Sequence, residues 1–317
     1  MTNAETVGAV AAAIAENVQR VIRGKPELVR LAVAGLLAEG HLLIEDVPGL
    51  GKTTLAQALA RSIGGRWSRI QFTPDLLPGD ITGVTIYRQK EEQFAFSPGA
   101  VFAHVVIADE INRGTPKTQS ALLEVMSERR VTVDGQTFEV PRPFLVVATQ
   151  NPIELEGTYR LPEAQLDRFL MRLPVGYPDR ESEVAVVLGS SAGASADDLP
   201  AVVETAALQQ AIGEVRALRV NPAIADYAVR LAEATREHSA LRYGASVRGS
   251  IALIRAARAI AAIDGRDYVT TDDVKEVAGP VLAHRLVRTA EAELNLRDTA
   301  GIVTEVLAAV AVPTARV

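Results

Sequence analysis

The spacing of apolar residues changes along the chain and divides it into segments of different predicted structure. The amino-terminal segment predicts an amphipathic helix, because apolar residues recur there at helical spacing. Its apolar stripe consists of Val7, Val10, Ile14 and Val18. From about His41 to Val175, short apolar runs alternate with helical stretches; the runs are HLLIE, WSRIQF, HVVIAD, FLVVAT and FLMRLPV. This alternation predicts strands wound into a largely parallel sheet.

A different pattern begins after the segment SSAGASADDLP at residues 190–200. That segment is small, polar and ends in proline, as linkers and loops do. Helical patterns follow it, in PAIADYAVRLAEATREH, ASVRGSIALIRAARAIAAIDG and TTDDVKEVAGPVLAHRL, the last of which starts at a Thr-Thr-Asp cap. We therefore predict an α/β domain over residues 1–195 and a smaller, all-α domain over residues 196–317.

The composition is that of an ordinary globular protein. The chain has 317 residues, of which 48% are hydrophobic and 23% are charged, and this length allows a sizeable core and two domains. There is no cysteine, so disulfides and thiolate chemistry are excluded. The four histidines share no spacing typical of metal ligands. We therefore expect no metal site of that kind.

Charge and hydropathy narrow the class of partner. The net charge is −6 and the pI is near 5.4, which disfavours broad affinity for nucleic acid but leaves room for a local basic patch. The amino terminus has no basic leader, and the uncharged apolar runs fall well short of the roughly 20 residues that span a bilayer. We expect a soluble, cytoplasmic protein with no membrane partner.

The stretch LLIEDVPGLGKTTLAQAL resembles a phosphate-binding loop between a strand and a helix, with one departure from the motif GxxxxGK[ST]. Asp46 stands where the motif has its first glycine. Gly49 and Gly51 keep the backbone freedom with which such a loop surrounds phosphate oxygens. Lys52 would reach the β and γ phosphates, and Thr53 would offer a hydroxyl to Mg²⁺. The alternative is an ordinary strand-turn-helix corner with a chance GKT.

A second motif supports nucleotide chemistry. HVVIADE is an apolar strand that ends in two acids, and Asp109 lies 57 residues after Lys52. In this layout Asp109 would hold the Mg²⁺ shell and Glu110 would polarise an attacking water. A buried strand that merely ends in surface acids is the alternative. The two motifs together favour the nucleotide site.

Longer stretches carry a more specific resemblance. DEINRGTPKTQSALLEVMSERRVTVDG, VVATQNPIELEGTYRLPEAQLDRF and GASVRGSIALIRAA are similar to the MoxR family of AAA+ ATPases, over about residues 18–290. The resemblance implies a three-layer α/β core with a helical lid, and Mg²⁺-dependent ATP hydrolysis. It also implies that Asp46 is tolerated at the first glycine of the loop.

The resemblance assigns ATP contacts around the loop. It implies that Val21 and Ile22 line the adenine pocket, because this apolar stretch precedes the first strand as it does in related ATPases. The remaining residues that it implies for ATP binding are Val47, Pro48, Gly49, Leu50, Gly51, Lys52, Thr53, Thr54 and Asp109. Mg²⁺ would be held by Thr53 and Asp109.

Three further polar residues receive catalytic roles from the resemblance. Asn151 resembles the first sensor, Arg168 the arginine finger that a neighbouring subunit inserts, and Arg248 the second sensor, at the start of a lid helix. Arg113 and Arg160 are weaker candidates for cations at a subunit interface.

Two of these residues have simpler interpretations. Asn151 would be a turn former before Pro152. Arg168 would form a surface ion pair with Asp167 or Glu163.

Two inserts indicate the subgroup. GVTIYRQKEEQFAFSPGAVF and RRVTVDGQTFEVPRPF each predict a hairpin, the second with Asp134 and Gly135 at its tip. They resemble the helix-two and pre-sensor hairpins of magnesium-chelatase, MCM and dynein-like ATPases. Such hairpins would touch a substrate in the pore of a ring, or would be surface hairpins only.

The resemblance implies an ATP-driven, chaperone-like remodelling factor that works as a ring, most simply a hexamer. Its clients would be other proteins, with a von Willebrand A-type partner, during maturation of an enzyme complex or insertion of a metal cofactor. A nucleic-acid motor of MCM type is the alternative, which the acidic balance disfavours. A monomeric P-loop kinase predicts neither lid helices nor a finger, contrary to GASVR and QLDRF.

Overall fold

The computed structural model describes residues 3–47, 49–151, 157–190 and 195–313. The described strands are β1 (Leu42–Glu45), β2 (Trp67–Gln71), β3 (Gly83–Arg88), β4 (Gln93–Pro98), β5 (Val105–Asp109), β6 (Arg130–Val133), β7 (Gln136–Glu139), β8 (Leu145–Gln150), β9 (Met171–Pro174), β10 (Leu241–Tyr243) and β11 (Val287–Arg288). The described α-helices are α1 (Asn3–Gln19), α2 (Pro26–Leu37), α3 (Lys52–Arg61), α4 (Pro78–Thr82), α5 (Pro116–Glu128), α6 (Glu163–Leu166), α7 (Arg180–Ser190), α8 (Thr205–Ala217), α9 (Pro222–Glu237), α10 (Val247–Ile263), α11 (Thr271–Leu282), α12 (Ala290–Leu294) and α13 (Thr299–Ala309).

The five predicted strands form one parallel sheet in the order β2-β5-β8-β1-β9. Strand β5 is buried along its whole length, as expected for a strand covered on both faces. Because the strands are parallel, their carboxyl ends share one edge of the sheet and their amino ends share the other. We call these the carboxyl edge, marked by Glu45, Asp109 and Gln150, and the amino edge, marked by Leu42 and Met171.

The two faces of the sheet pack into two hydrophobic clusters. Val105 and Ile107 of β5 pack with helices α1 to α3 on one face, whereas Val106 and Ala108 pack with α5 on the other. The first cluster continues without a break into buried residues of the carboxy-terminal helices, including Leu253. The predicted amphipathic helix α1 belongs to this cluster. The three-layer α/β core and the helical region are therefore joined through shared packing.

Both predicted hairpins are present. Strands β3 and β4 pair antiparallel, and so do β6 and β7. Asp134 and Gly135 at the second tip have φ of 48° and 79°, the left-handed conformation that a tight two-residue hairpin turn requires. Phe96 of the first hairpin stacks on Phe138 of the second at 4.0 Å between ring centroids. The two hairpins are thus in contact with each other.

The predicted helices of the last third are α9, α10 and α11, and side-chain caps start them. The Asn221 side chain accepts the N–H of Ala223, Ser246 accepts that of Arg248, and Thr270 accepts that of Asp273. This region also contains a short antiparallel ribbon of β10 and β11, which was not among the predicted elements. Among the described helices, none has the length and apolar character needed to cross a membrane.

Ion pairs attach the helical region to α2. The guanidinium of Arg30 lies 2.8 Å from carboxylate oxygens of both Asp264 and Glu276. These two acids raise the pKa of Arg30, chiefly through the hydrogen bond to Asp264. The contact is partly exposed, so its net stabilisation is modest; the shared core supplies the greater part.

Candidate active site

The loop between β1 and α3 has the backbone geometry of an anion-binding turn. Gly49 and Gly51 have φ of 86° and 83°, values that side chains other than glycine rarely adopt. No side chain caps the start of α3, so its first N–H groups point into the loop, where an anion is favoured. Lys52 Nζ donates to the carbonyl oxygens of Asp46 and of Val47, the latter at 2.9 Å, which folds the ammonium over the loop.

The position of Asp46 does not require glycine. Its backbone lacks the positive φ found at Gly49 and Gly51, so an L-residue fits there without strain. The carboxylate accepts the N–H of Val47 at 2.8 Å and that of Gly176 at 2.6 Å. Its charge is therefore directed toward the segment after β9. The departure from the strict motif is compatible with a working loop.

Asp109 ends the buried strand β5 and is held by three side chains. Its carboxylate accepts the hydroxyls of Thr53 at 3.0 Å and Thr149 at 2.5 Å, and Arg69 Nη2 at 2.6 Å. Thr53 is the second residue of α3, so Asp109 links β5 directly to the start of that helix. The hydroxyl and the carboxylate form an all-oxygen donor set, which is the type that Mg²⁺ prefers.

Glu110 follows at once and is turned away from the core. Its φ is 53°, an uncommon left-handed value for a glutamate. Its N–H donates to Thr149 Oγ1 at 3.0 Å. Its carboxylate accepts Gln71 Nε2 at 3.0 Å and lies 3.2 Å from Arg113 Nε. This carboxylate is half-exposed beside the phosphate loop, where it can reach a water molecule.

Asn151 is buried at the end of β8, on the same edge as Asp109 and Glu110. Asn112 Nδ2 donates to its carbonyl oxygen at 3.2 Å. Ile22 is buried. It lies next to the loop, since a Cβ atom placed on Gly51 would be 4.0 Å from Ile22 Cδ1.

The remaining predicted ATP contacts lie around the same loop. Val21 and Leu50 pack partly buried against the core, Val47 and Thr54 are half-buried, and Pro48 lies outside the described residues. The carboxyl edge therefore brings together the predicted loop, Asp109, Glu110, Asn151 and Ile22.

The structure places Arg168 and Arg248 elsewhere. Arg168 Nη1 donates to Leu123 O at 2.9 Å and to Ser127 Oγ, both in the second half of α5. Arg248 is 69% exposed and lies 3.7 Å from Asp167 Oδ2. Both arginines line a cavity of about 330 Å³ beside the amino ends of β1 and β9. Asp167, at 2.8 Å from Arg285 Nε, is thus paired with lid arginines and not with Arg168.

The two groups lie at opposite edges of the sheet. Strand β1 alone, with four residues, separates them by about 13 Å at 3.3 Å per residue. Arg168 and Arg248 therefore lie away from the phosphate loop of their own chain. Arg113 lies beside Glu110, and Arg160 is exposed after Gly157.

Sequence reasoning missed the side chains that hold the two acids. Arg69 and Gln71 are two residues apart on edge strand β2, so they share one face and reach Asp109 and Glu110 respectively. The alternation of polar residues within WSRIQ indicated that Arg69 and Gln71 share a face of the strand. Which acids they reach became clear only from the pairing of β2 with β5. Thr149 lies inside an apolar strand and gave no comparable signal.

Comparison with known proteins agrees with this geometry. Residues 41–171 match the family model of ATPases associated with various cellular activities, and residues 233–306 match the AAA lid domain. A crystal structure from Cytophaga hutchinsonii, provisionally identified as an ATPase, superimposes with a TM-score of 0.90 at 38% identity, over 98% of this chain and 97% of that one. The chain is an AAA+ ATPase with an α/β core and a helical lid.

Two relatives specify the family. The chain is 46% identical to Chaperone MoxR1 of Mycobacterium tuberculosis, over 93% of this chain and 80% of the relative. It is 32% identical to Protein MoxR of Methylorubrum extorquens, over 87% of each. The chain belongs to the MoxR family of AAA+ ATPases, and the resemblance found in the sequence is confirmed.

Proposed function

We propose that copies of this chain form a ring, most simply a hexamer, in which the carboxyl edge of one subunit faces the amino edge of the next. The placement of Arg168 and Arg248 carries this proposal. Both cations lie at the opposite end of the sheet from Lys52 and Glu110, and a head-to-tail contact brings the two ends together. Each ATP would then lie between two subunits.

Within one interface, the residues of the carboxyl edge would hold ATP and prepare water. Lys52 and the loop N–H groups would bind the phosphates. Thr53 and Asp109 would hold Mg²⁺, which neutralises charge on the phosphate oxygens. Glu110 would accept a proton from the attacking water. The water oxygen would bond to the γ phosphorus while the bond between that phosphorus and the oxygen bridging to the β phosphate breaks. Asn151 would orient that water.

The neighbouring subunit would complete the site with cations. Arg168 would stabilise the charge that develops on the transferring phosphoryl group, as arginine fingers do. Arg248 would contact the same nucleotide from the neighbour's lid, since it lines the same cavity as Arg168. We propose that the α/β core ends at residue 195 and the lid begins at residue 196. Arg168 then belongs to the core and Arg248 to the lid.

The cellular task that fits best is chaperone-like remodelling of proteins in the cytoplasm. One relative is named a chaperone, and the net charge of −6 favours protein clients over nucleic acid. Maturation of an enzyme complex, insertion of a metal cofactor and a von Willebrand A-type partner remain part of this proposal. The hairpins of β3–β4 and β6–β7 would contact the client.

Complementation between two inactive variants tests the shared site. Arg168→Ala should bind ATP nearly normally and lose about 10³-fold in turnover, and Lys52→Ala should lose ATP binding. Mixed rings should regain activity, because some interfaces pair an intact loop with an intact finger. Arg219→Ala, at an exposed lid arginine, is the matched control and should retain activity. Mixed rings that form but stay inactive would refute the role of Arg168 in the neighbouring site.

A further inference from the structure

The carboxylate of Asp46 connects the phosphate loop to a distant segment of the chain. Besides the N–H of its neighbour Val47, it accepts the N–H of Gly176 at 2.6 Å, 130 residues away. Strands β1 and β9 are paired up to Glu45 and Pro174. The Asp46 side chain therefore extends this pairing past the ends of both strands, to the point where the phosphate loop begins.

The chain turns at Gly176, the residue that donates this bond. Its φ is 68°, which glycine adopts without strain, and its N–H donates to the Asp46 carboxylate. The next residue, Tyr177, accepts Lys25 Nζ at its carbonyl oxygen. Lys25 immediately precedes α2, the helix whose Arg30 binds the lid. The loop entrance, the segment after β9 and the start of α2 are thus joined by consecutive polar contacts.

Asp46 also fixes the part of the loop that receives Lys52. The Lys52 ammonium donates to the carbonyl oxygens of Asp46 and Val47. These are the same two residues that are linked by the hydrogen bond from the Val47 N–H to the Asp46 carboxylate. A glycine at position 46 would leave this strand exit free to adopt many conformations, and ATP binding would have to order it.

We propose that Asp46 is a positioning residue for ATP binding, which clamps the entrance of the phosphate loop to Gly176 and so preorganises Lys52. This inference rests on the proposed role of the loop in binding ATP. It explains what the aspartate does in place of the usual glycine: an acid that accepts two backbone N–H groups replaces flexibility with a defined loop entrance.

Affinity for a fluorescent ATP analogue with Mg²⁺, measured on full-length variants, tests the clamp. Asp46→Gly should raise Kd about tenfold, because it removes two bonds to a charged acceptor. Asp46→Asn keeps one acceptor oxygen and should raise Kd about threefold. Turnover at saturating ATP should stay within about twofold, since preorganisation of binding changes KM rather than kcat.

A matched control lies three residues beyond Gly176. Asp179 also accepts a backbone N–H, that of Ser182 at 2.8 Å, but does not touch the loop. Asp179→Asn should bind as the wild type does. Hydrogen exchange of residues 175–177 gives a second readout, because Asp46→Gly should expose the Gly176 amide.

The outcomes separate this inference from the proposed function. If Lys52→Ala binds ATP normally, the loop is not the ATP site and both fail. If Lys52→Ala loses binding while Asp46→Gly and Asp46→Asn bind like the wild type, only the clamp is overturned. Weakened binding without faster exchange at residues 175–177 also overturns it. If Asp46→Gly does not fold, Asp46→Asn provides the test.

Discussion

The two edges of the sheet differ in how they are built. The carboxyl edge gathers strand ends and the loops that follow them, so its functional groups arise from short contiguous motifs such as GKT and DE. The amino edge is assembled from side chains far apart in sequence, because lid residues such as Arg248 and Arg285 meet Asp167 of the core there. The carboxyl edge is therefore built from local turns, and the amino edge from contacts between residues distant in sequence.

Their charges also differ. At the carboxyl edge each acid is matched by a cation, Asp109 by Arg69 and Glu110 by Arg113. Among the described residues, five arginines and only two acids line the cavity at the amino edge. In the proposed ring, this excess of arginines would face the phosphates of the nucleotide bound by the neighbouring copy. In the proposed ring, one chain would therefore carry two halves of a site, each incomplete at its own edge.

The largest expected effect is at the carboxyl edge. Glu110→Gln should bind ATP like the wild type but lose about 10³-fold in turnover, because an amide cannot take the proton of the attacking water. Single-turnover hydrolysis after confirmed ATP binding measures this. Glu124→Gln, at an exposed glutamate on the following helix, is the control. Unchanged turnover in Glu110→Gln would remove Glu110 from the chemistry.

At the amino edge, the folded state should become acid-sensitive through His41. Complete burial lowers the pKa of His41 to about 4 from 6.5, and Nδ1 accepts the N–H of Val146 while Nε2 lies 3.0 Å from Met126 O. A lowered folded-state pKa means that stability is fully present above pH 6.5 and falls as the pH decreases toward 4. The loss from His41 should be roughly 3 kcal/mol.

Urea unfolding at a series of pH values measures the effect of His41. His41→Gln cannot titrate, so its stability should depend less steeply on pH between 6.5 and 4, whatever its stability at neutral pH. The other fully buried histidine, His284, also has a lowered pKa, chiefly from burial, and keeps some acid dependence in the variant. Parallel profiles for the variant and the wild type would contradict the role of His41.

Removal of the Arg248 side chain from the lid should lower turnover less than the loss of the Glu110 carboxylate does. Arg248→Ala should lose about 10²-fold in turnover, because in the proposed ring it removes a preorganised charge from the nucleotide at the subunit interface. Its exposure of 69% indicates that the fold should not suffer. Arg219→Ala, on the lid but away from this cavity, is the control. The activity of Arg248→Ala rings mixed with Lys52→Ala subunits then shows whether Arg248 acts across the interface.

The smallest effect concerns the stability of the amino edge itself. Glu39 is buried and its carboxylate binds Arg129 at 2.9 Å and also Arg216 of the lid helix α8. Glu39→Gln should lower the free energy of unfolding by about 2 kcal/mol, since it leaves these arginines without their acid. Glu128→Gln disrupts an exposed pair with Arg130 and should cost under about 1 kcal/mol. Equal costs would argue against a structural role for Glu39.

Much of the fold was predictable because its signals are local. Apolar runs predicted the five strands of the sheet, Asp134 and Gly135 predicted the second hairpin turn, and a Thr-Thr-Asp cap predicted the start of α11. The ribbon of β10 and β11 was missed, because its strands have three and two residues, too few to show a period.

The sequence by itself indicated the family and the predicted nucleotide-binding residues of the carboxyl edge. Gly49, Gly51, Lys52 and the two acids after β5 occur in contiguous motifs, and parallel pairing alone brings strand ends together. Only the tertiary structure decided that Arg168 and Arg248 lie at the other edge, that Arg69 holds Asp109, and that Asp46 binds Gly176. Those contacts join residues 40 to 130 positions apart, and such pairings depend on how the elements pack, which local periodicity does not specify.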